Sequence, residues 1–524
     1  MELIKEDEGL EPVSPTGQYF NSKVMSISIL GILESEIPID DSLATSLIID
    51  VFLPINPRFS SIMVMGKKGA RKWKNVEVNV ENHVHVPSFS SPKGSSSPSE
   101  NDSFLKSYIS QIAMHPFPQG QPLWEIHIIK CPTSEAQGTI IFKLHHALGD
   151  GYSLVGALLS CLQRADDPSL PITFPSVNKF SSANKDDRNT GIRKVVGTCF
   201  LPLVNTVRDF GWSLLKSTCL EDDLSPIRCG SGSFQPFSVS TITFSLDRIK
   251  EIKSCLRVVT NIILKTILSL ASCMTHALLD LLAFYFLRYT FISIVLHYNG
   301  FLHMTSSKTI NDVITGVIFL ATRLYMQRAS PNSNLSTNST ALVLLNTRNL
   351  RDYKSVREMV RPNSKSLWGN NFAFLHVPIP KVKASDSQFS NPLKFVYKAR
   401  EVIKKKRSSF GVILTGKLLE MMKKCRNPEA VATHINRTMR NSSMIISNVP
   451  GPMEKLSLAN HPIKGIYFTV AGSPESLQVT MISYAGNLRV VVRAKQGFIN
   501  SELYTRSLLD AFDLILRDAC GKHK

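Results

Sequence analysis

The sequence has no Cys-x-x-Cys pair and no cysteine spacing suited to a metal: its nine cysteines stand singly at positions 131, 161, 199, 219, 229, 255, 273, 425 and 520. An odd, scattered set argues against a disulfide framework and points to reduced thiols in a cytosol-facing protein. No Gly-x-Ser-x-Gly elbow occurs, so nothing advertises a serine nucleophile on a strand-to-helix turn. Zinc-finger spacing, an aromatic RNA-binding motif and a compact basic helix are all missing, which argues against nucleic acid as a partner. The opening residues, Met-Glu-Leu-Ile-Lys-Glu-Asp-Glu, are acidic where a targeting signal is basic or apolar, so no cleavable leader is expected. Acid is also in deficit: 41 Asp and Glu stand against 60 Lys and Arg, a formal charge of +19. A surplus of that size suits anionic lipid or a phosphorylated small molecule. The short basic runs Lys67-Lys68, Lys404-Lys405-Lys406-Arg407 and Lys423-Lys424 read as solvated faces.

What is present is enough for a large core. The 524 residues are 43% apolar and 19% charged, which is globular rather than disordered and longer than one core usually grows. Two domains are expected, 1–215 and 216–524. Ser88 to Ser103, rich in Ser and Pro, reads as an exposed loop, and Phe104 to Met114 as a short helix. Strands are expected at Glu125–Lys130, Gly138–Leu144, Ser238–Phe244, Ala341–Asn346, Ser443–Val449, Ile466–Val470, Leu477–Tyr484 and Leu488–Ala494. The last two are joined by the tight turn Ala485-Gly486-Asn487. A closing helix runs from Ser501 to about Arg517, with Leu503, Leu508, Ala511, Phe512, Ile515 and Leu516 on one face. Strands and helices are mixed throughout, so the fold class is α/β (α+β). Lys194 to Leu215 fits either a surface helix touching lipid or a core helix between domains.

The chemistry concentrates at His145-His146-Ala147-Leu148-Gly149-Asp150-Gly151. The preceding strand delivers the chain into the two histidines, and small and apolar residues from Ser153 to Gln163 continue as a helix. A histidine is the side chain best matched to taking a hydroxyl proton near neutral pH. Adjacent residues at a strand end point to opposite faces, so one of the pair faces a given cavity. Asp150 reads as a fold-locking charge, pairing with an arginine or accepting backbone hydrogen bonds. Gly151 permits a positive φ or a close backbone approach. No third ligand at metal spacing accompanies the histidines, so no metal is expected.

These residues resemble the H-H-x-x-x-D-G signature of the CoA-dependent acyltransferase superfamily. With Pro12-Val13-Ser14-Pro15, Asn56-Pro57-Arg58-Phe59-Ser60-Ser61, Pro122-Leu123-Trp124, Asn311-Asp312-Val313 and Ser447-Asn448-Val449-Pro450-Gly451-Pro452, the chain is similar to the plant form of the bifunctional wax ester synthase/diacylglycerol acyltransferases, over about residues 10 to 520. The resemblance implies two chloramphenicol-acetyltransferase-like domains with an active-site tunnel between them. It implies His146 as general base, with His145, Asp150 and Gly151 supporting the motif. Asn311, Asp312, Asn448, Pro450 and Gly451 would shape the site from the second domain. It implies acyl-CoA as co-substrate with no resident cofactor, a fatty alcohol or diacylglycerol as acceptor, and a membrane lipid surface as partner. The expected location is the cytosol-facing endoplasmic reticulum membrane, with the plasma membrane as the other candidate. A catalytically impaired lipid-binding relative, and an acyltransferase for a soluble alcohol or amine, are the alternative readings.

One segment departs from the family. Asn261 to Tyr298 is almost continuously apolar, and Thr266 to Leu287 reaches the roughly 20 residues of a membrane span. His276 and Asp280 near its middle weaken that reading. Relative to the family, Val259 to Lys308 looks inserted, either as an added membrane element or as a retained intron. The second is favoured, because apolar spans rarely interrupt a compact domain between a strand and its packed helix. Deleting 259–308 should then raise activity; a deleted form that is inactive and newly released from membranes by alkaline carbonate would identify a true anchor.

Overall fold

The computed structural model describes residues 11–66, 71–88, 97–172, 192–230, 235–256, 309–331, 336–348, 368–382, 389, 391–407 and 409–521. In chain order the strands are β1 (Ser28–Ser35), β2 (Ser61–Met65), β3 (Arg71–Asn75), β4 (Val84–His85), β5 (Trp124–Ile129), β6 (Gly138–His145), β7 (Gln163–Arg164) and β8 (Phe237–Ser245). They continue as β9 (Thr340–Asn346), β10 (Phe372–Pro378), β11 (Met444–Val449), β12 (Leu456–Leu458), β13 (His461–Ala471), β14 (Leu477–Tyr484) and β15 (Asn487–Lys495). One sheet has the order β4-β5-β6-β1-β13-β12-β7 and the other β10-β9-β11-β14-β15-β8, while β2 and β3 form a separate ribbon.

Each sheet is buried by its own sequence pattern. All residues of β5 and β6 are buried, as expected of isoleucine-rich strands covered on both faces. The hairpin β14–β15 closes through Ala485 (φ 45°) and Gly486 (φ 80°), the two positive φ values of a tight primed turn. A cut at 215/216 does not partition the sheets. β12 and β13 come from the far end of the chain yet belong to the sheet that carries the histidines, and β1 lies between β6 and β13, with Ile32 opposite both Ile141 and Tyr467. Periodicity reveals a strand but not its neighbour, which is why the crossing is invisible in sequence.

The helices used below are α1 (Pro15–Phe20), α2 (Pro98–Met114), α3 (Gly151–Ser160), α4 (Ile192–Thr218), α5 (246–256), α6 (Ile310–Ala329), α7 (Leu393–Arg407), α8 (Gly411–Cys425), α9 (Pro428–Arg440) and α10 (Ser501–Cys520). The expected loop from Ser88 to Ser103 is corrected over its second half. Ser97 and Glu100 form a reciprocal capping box with Pro98 in the first helical turn, so α2 begins six residues before Phe104. Residues 89–96 and the apolar span Thr266–Leu287 lie outside the described residues. Among the described residues no helix is long and apolar enough to cross a membrane.

In the second core α6 is buried along nearly its whole length between α7 and α10. Gly316 allows that approach, since a Cβ there would lie 2.6 Å from the Cα of Val396 on α7. Gly316→Ala should therefore cost about 1–3 kcal/mol by overpacking. An unchanged urea midpoint would show that α7 can move away freely.

Candidate active site

β6 sits inside its sheet and ends at the histidines, so strand pairing sets their position. The backbone N–H of His145 donates to Leu123 O (3.0 Å) and that of His146 to Ile27 O (2.8 Å), which holds both ends of the turn. Trp124 anchors the neighbouring strand by donating from Nε1 to Phe59 O at 2.8 Å. Arg58 and Trp368 both donate to Leu148 O, at 3.2 and 2.9 Å. The segments around Asn56–Ser61 and Pro122–Trp124 thus converge on the loop after the histidines.

The two rings have different tasks. His145 is 1% exposed, and its Nδ1 accepts from Ala147 N–H at 3.1 Å. Nε2 then carries the proton and faces Ser26 Oγ at 3.2 Å. Burial, with lesser help from His146, Lys143 and Arg71, pushes its pKa down to about 3, so it stays neutral. His146 turns toward the second half of the chain. Its ring lies between Phe20 (4.7 Å between centroids) and Phe372 (5.5 Å), and its Nδ1 is 2.8 Å from Asn370 Oδ1. The Asn370 amide cannot be turned round, because its Nδ2 donates to His146 O at 3.0 Å. Oδ1 is an acceptor, so Nδ1 bears the hydrogen and Nε2 keeps the lone pair a base needs. Burial lowers the His146 pKa, against smaller opposing effects from Asp150, its own backbone and Asn370.

Asp150 sits at the N-terminus of α3, where Oδ1 accepts from Ser153 N–H at 3.0 Å. The arginine that answers its charge is Arg348. Its two terminal nitrogens reach Oδ2 and Oδ1 at 2.7 and 2.8 Å, with side-chain exposures of only 2% and 5% for Arg348 and Asp150. Asn371 N–H adds a fourth hydrogen bond at 2.9 Å. Arg348 also donates to Ser153 Oγ (2.9 Å) and Gly369 O (2.6 Å). Gly369, with φ 122°, also accepts from Asp150 N–H. This knot ties the histidine-bearing loop to residues 348 and 369–371 of the second half.

Gly151 is corrected in its reason. It has no positive φ, and a Cβ would meet Val449 Cγ2 at an ordinary 3.6 Å. The tight glycine of the motif is Gly149, whose Cβ would lie 2.9 Å from Ser153 Cβ. Val449 brings the loop after β11 to the motif, and Gly451 closes that loop on β14, where a Cβ would collide with Ser483 O at 2.1 Å. Pro452 O accepts from Ala485 N–H at 3.2 Å, continuing the loop beyond Pro450. Asn448 Nδ2 donates to Asn311 Oδ1 at 2.6 Å, joining β11 to the start of α6. Asp312 is committed to capping α6 with Thr309 and lies 3.9 Å from Arg400. None of these hydrogen bonds reaches the His146 ring. Among the described residues no group of three or more His, Cys, Asp or Glu is placed to hold a metal.

Phe20, Arg348, Trp368, Gly369, Asn370 and Phe372 were not singled out by sequence reasoning. The available signal was Trp368-Gly369-Asn370-Asn371 before the alternating strand Phe372-Ala373-Phe374-Leu375-His376. A glycine and two amides at a strand start mark a turn, but only the fold shows which side chain they face.

Residues 54–261 match the wax ester synthase/diacylglycerol acyltransferase catalytic domain, and residues 368–516 the WS/DGAT C-terminal domain, together well over half of the chain. Wax ester synthase/diacylglycerol acyltransferase 7 of Arabidopsis thaliana is 27% identical over 502 residues, covering 91% of each chain. The solved wax ester synthase/diacylglycerol acyltransferase from Marinobacter aquaeolei VT8 has the same fold at 15% identity, with a TM-score of 0.55 over 98% of this chain and 100% of that one. A starter condensation domain of rhizomide synthetase, solved in complex with C8-CoA, aligns with a TM-score of 0.50 at 9% identity, over 97% and 94% of the two chains.

Two outcomes follow from this geometry. Arg348→Ala leaves Asp150 buried without its countercharge and should cost about 3–5 kcal/mol; a variant as stable as the parent would remove the pair from its structural role. His145 has a folded pKa near 3 against 6.5 for the ordinary imidazole, and His376 is likewise pushed down to about 3 by burial. The unfolded chain therefore binds more protons between those values. The stability these neutral rings confer is complete above about 6.5 and is lost as pH falls from there through about 3. Urea midpoints that stay flat from neutral pH into that window would contradict it.

Proposed function

The chain belongs to the wax ester synthase/diacylglycerol acyltransferase family, and we propose from that premise that His146 is the general base of its acyl transfer. The protein is an acyl-CoA-dependent acyltransferase that makes wax esters or triacylglycerol. The observation that carries the proposal is the pairing of His146 Nδ1 with an amide oxygen, which leaves Nε2 unprotonated and available.

In the reaction Nε2 takes the hydroxyl proton of a fatty alcohol or diacylglycerol as the oxygen forms its bond to the thioester carbon. Negative charge gathers on the former carbonyl oxygen. When that intermediate collapses the carbon–sulfur bond breaks, and the imidazolium returns its proton to the CoA thiolate. A pKa lowered by burial keeps the resting ring neutral near pH 7, the form required to accept a proton. Phe20 and Phe372 hold the ring and give it apolar surroundings, which suit an alkyl-chain acceptor better than a soluble amine. Acyl-CoA and acceptor meet at His146 in a tunnel between the two halves, and the reaction uses no resident cofactor. Such acceptors reside in membranes, which supports a lipid surface as partner. The scattered cysteines, none in a Cys-x-x-Cys pair, support a cytosol-facing site, and a membrane-resident acceptor suits the endoplasmic reticulum as its place.

His146→Ala should lower ester synthesis by on the order of 100-fold to 10,000-fold while leaving the protein folded. Asn370→Ala should fall between that variant and the parent, because it frees the ring to adopt the wrong tautomer. Product analysis in a host lacking neutral-lipid synthesis reads both effects and separates wax ester from triacylglycerol. Near-parental turnover from folded His146→Ala protein would remove the assignment.

A further inference from the structure

From Val204 to its end α4 is built inside out. At 3.6 residues per turn this stretch divides into two faces. The face turned into the protein carries Asn205, Thr206, Asp209, Ser213, Lys216 and Ser217, all with buried side chains. Three of them, Thr206, Asp209 and Lys216, have polar partners on neighbouring elements. Lys406 on α7 pairs with Asp209 at 2.9 Å, Phe410 N–H donates to Thr206 Oγ1 at 3.0 Å, and Lys216 binds Asp222 and Asn441 O. The opposite face presents Val204, Val207 (67% exposed), Leu214 and Leu215 to the outside, and Trp212 is exposed at its edge. α8 extends this apolar face. Gly411 lets its first turn approach α4, where a Cβ would lie 3.1 Å from Asp209 Cβ, and the stripe Phe410 (59% exposed), Ile413 and Met421 recurs at helical spacing on its outer side. A helix that buries its polar side and exposes its apolar side is stable where the outer medium is not water.

We propose that the outer faces of α4 and α8 dock on an anionic lipid bilayer and that α8 marks where the lipid acceptor leaves the membrane for His146; the second half of this statement rests on the acyltransferase reading above. Charge complementarity selects the bilayer. Arg208, Lys417 and Arg426 are exposed beside the apolar stripes, against one exposed acid there, Glu420, in a chain of net charge +19. The inner side of α8 connects this surface to the reaction centre. Leu419 and Met422 pack onto the apolar cluster of Tyr19, Phe20, Met25 and Ile27, which Phe372 also joins. Phe20 and Phe372 are the two rings that flank His146. A lipid alcohol at the α8 surface therefore has apolar contacts along its way to the base.

Trp212 provides the readout, because Trp73 and Trp124 are buried and Trp368 is half-buried. The apolar stretch 261–298 can by itself bring the chain to vesicles, so the depth of Trp212 is measured rather than sedimentation. With the full chain, brominated phosphatidylcholine mixed with phosphatidylserine should quench the fluorescence difference between the parent and Trp212→Phe, and less so without phosphatidylserine. The triple variant Val207→Glu, Ile413→Glu, Met421→Glu changes exposed positions only. It should lose this quenching and lose several-fold in turnover of vesicle-borne diacylglycerol, while keeping turnover of a short-chain alcohol in solution. An unquenched Trp212, or a triple variant equal to the parent on vesicles, would overturn the proposal. So would Trp212 shielding that rises with protein concentration and not with lipid, which would mark the face as a contact between copies of the chain. Quenching without acyl transfer to either acceptor would keep the docking surface and overturn the catalytic reading.

Discussion

The charge pair between Asp150 and Arg348 is the constraint on which the site depends. Burying two charges is expensive, and it is tolerated here because each oxygen of Asp150 has two donors, while Arg348 also reaches Ser153 Oγ and Gly369 O. The pair joins the loop after β6 to chain beyond β9 and before β10. Asn370 lies between Gly369 and Asn371, both members of the knot, so the amide that selects the His146 tautomer is positioned by the same ion pair. The setting of the His146 ring is thus complete only when the second half of the chain is docked.

Adjacent histidines diverge in function because their second nitrogens meet different partners. His145 receives a backbone N–H and becomes a buried spacer between β6 and Ser26. His146 receives an amide oxygen, which leaves its Nε2 with a lone pair for the role proposed for it. The residue type is the same, and the distinction lies in which strand end and which loop each ring faces.

Much of this was legible from local pattern. The edges of β6, β14 and β15 follow from isoleucine and valine runs bounded by Gly, and α10 from its periodic apolar face. The His145–Gly151 motif marked the site, and Asp150 invited an arginine. The arginine itself was not legible, because it lies 198 residues further along with no periodic relation to its partner. The same holds for β13, whose alternation announces a strand but not that it pairs with β1. For α4 the residue list allowed two environments, and only the burial of Asn205, Asp209 and Lys216 shows which side faces the protein.

The placement of β13 has a consequence for biosynthesis. β1 is made early and can pair with β6 once residue 145 has emerged, but its other edge is filled only by residues 463–471. At about 5–20 residues per second the ribosome needs tens of seconds to cover that interval. Throughout it an apolar strand edge stands open, a template for wrong pairing with another chain. The sheet that carries the motif is therefore sealed only late in synthesis, and the order of translation leaves its central strand half-paired for most of that time.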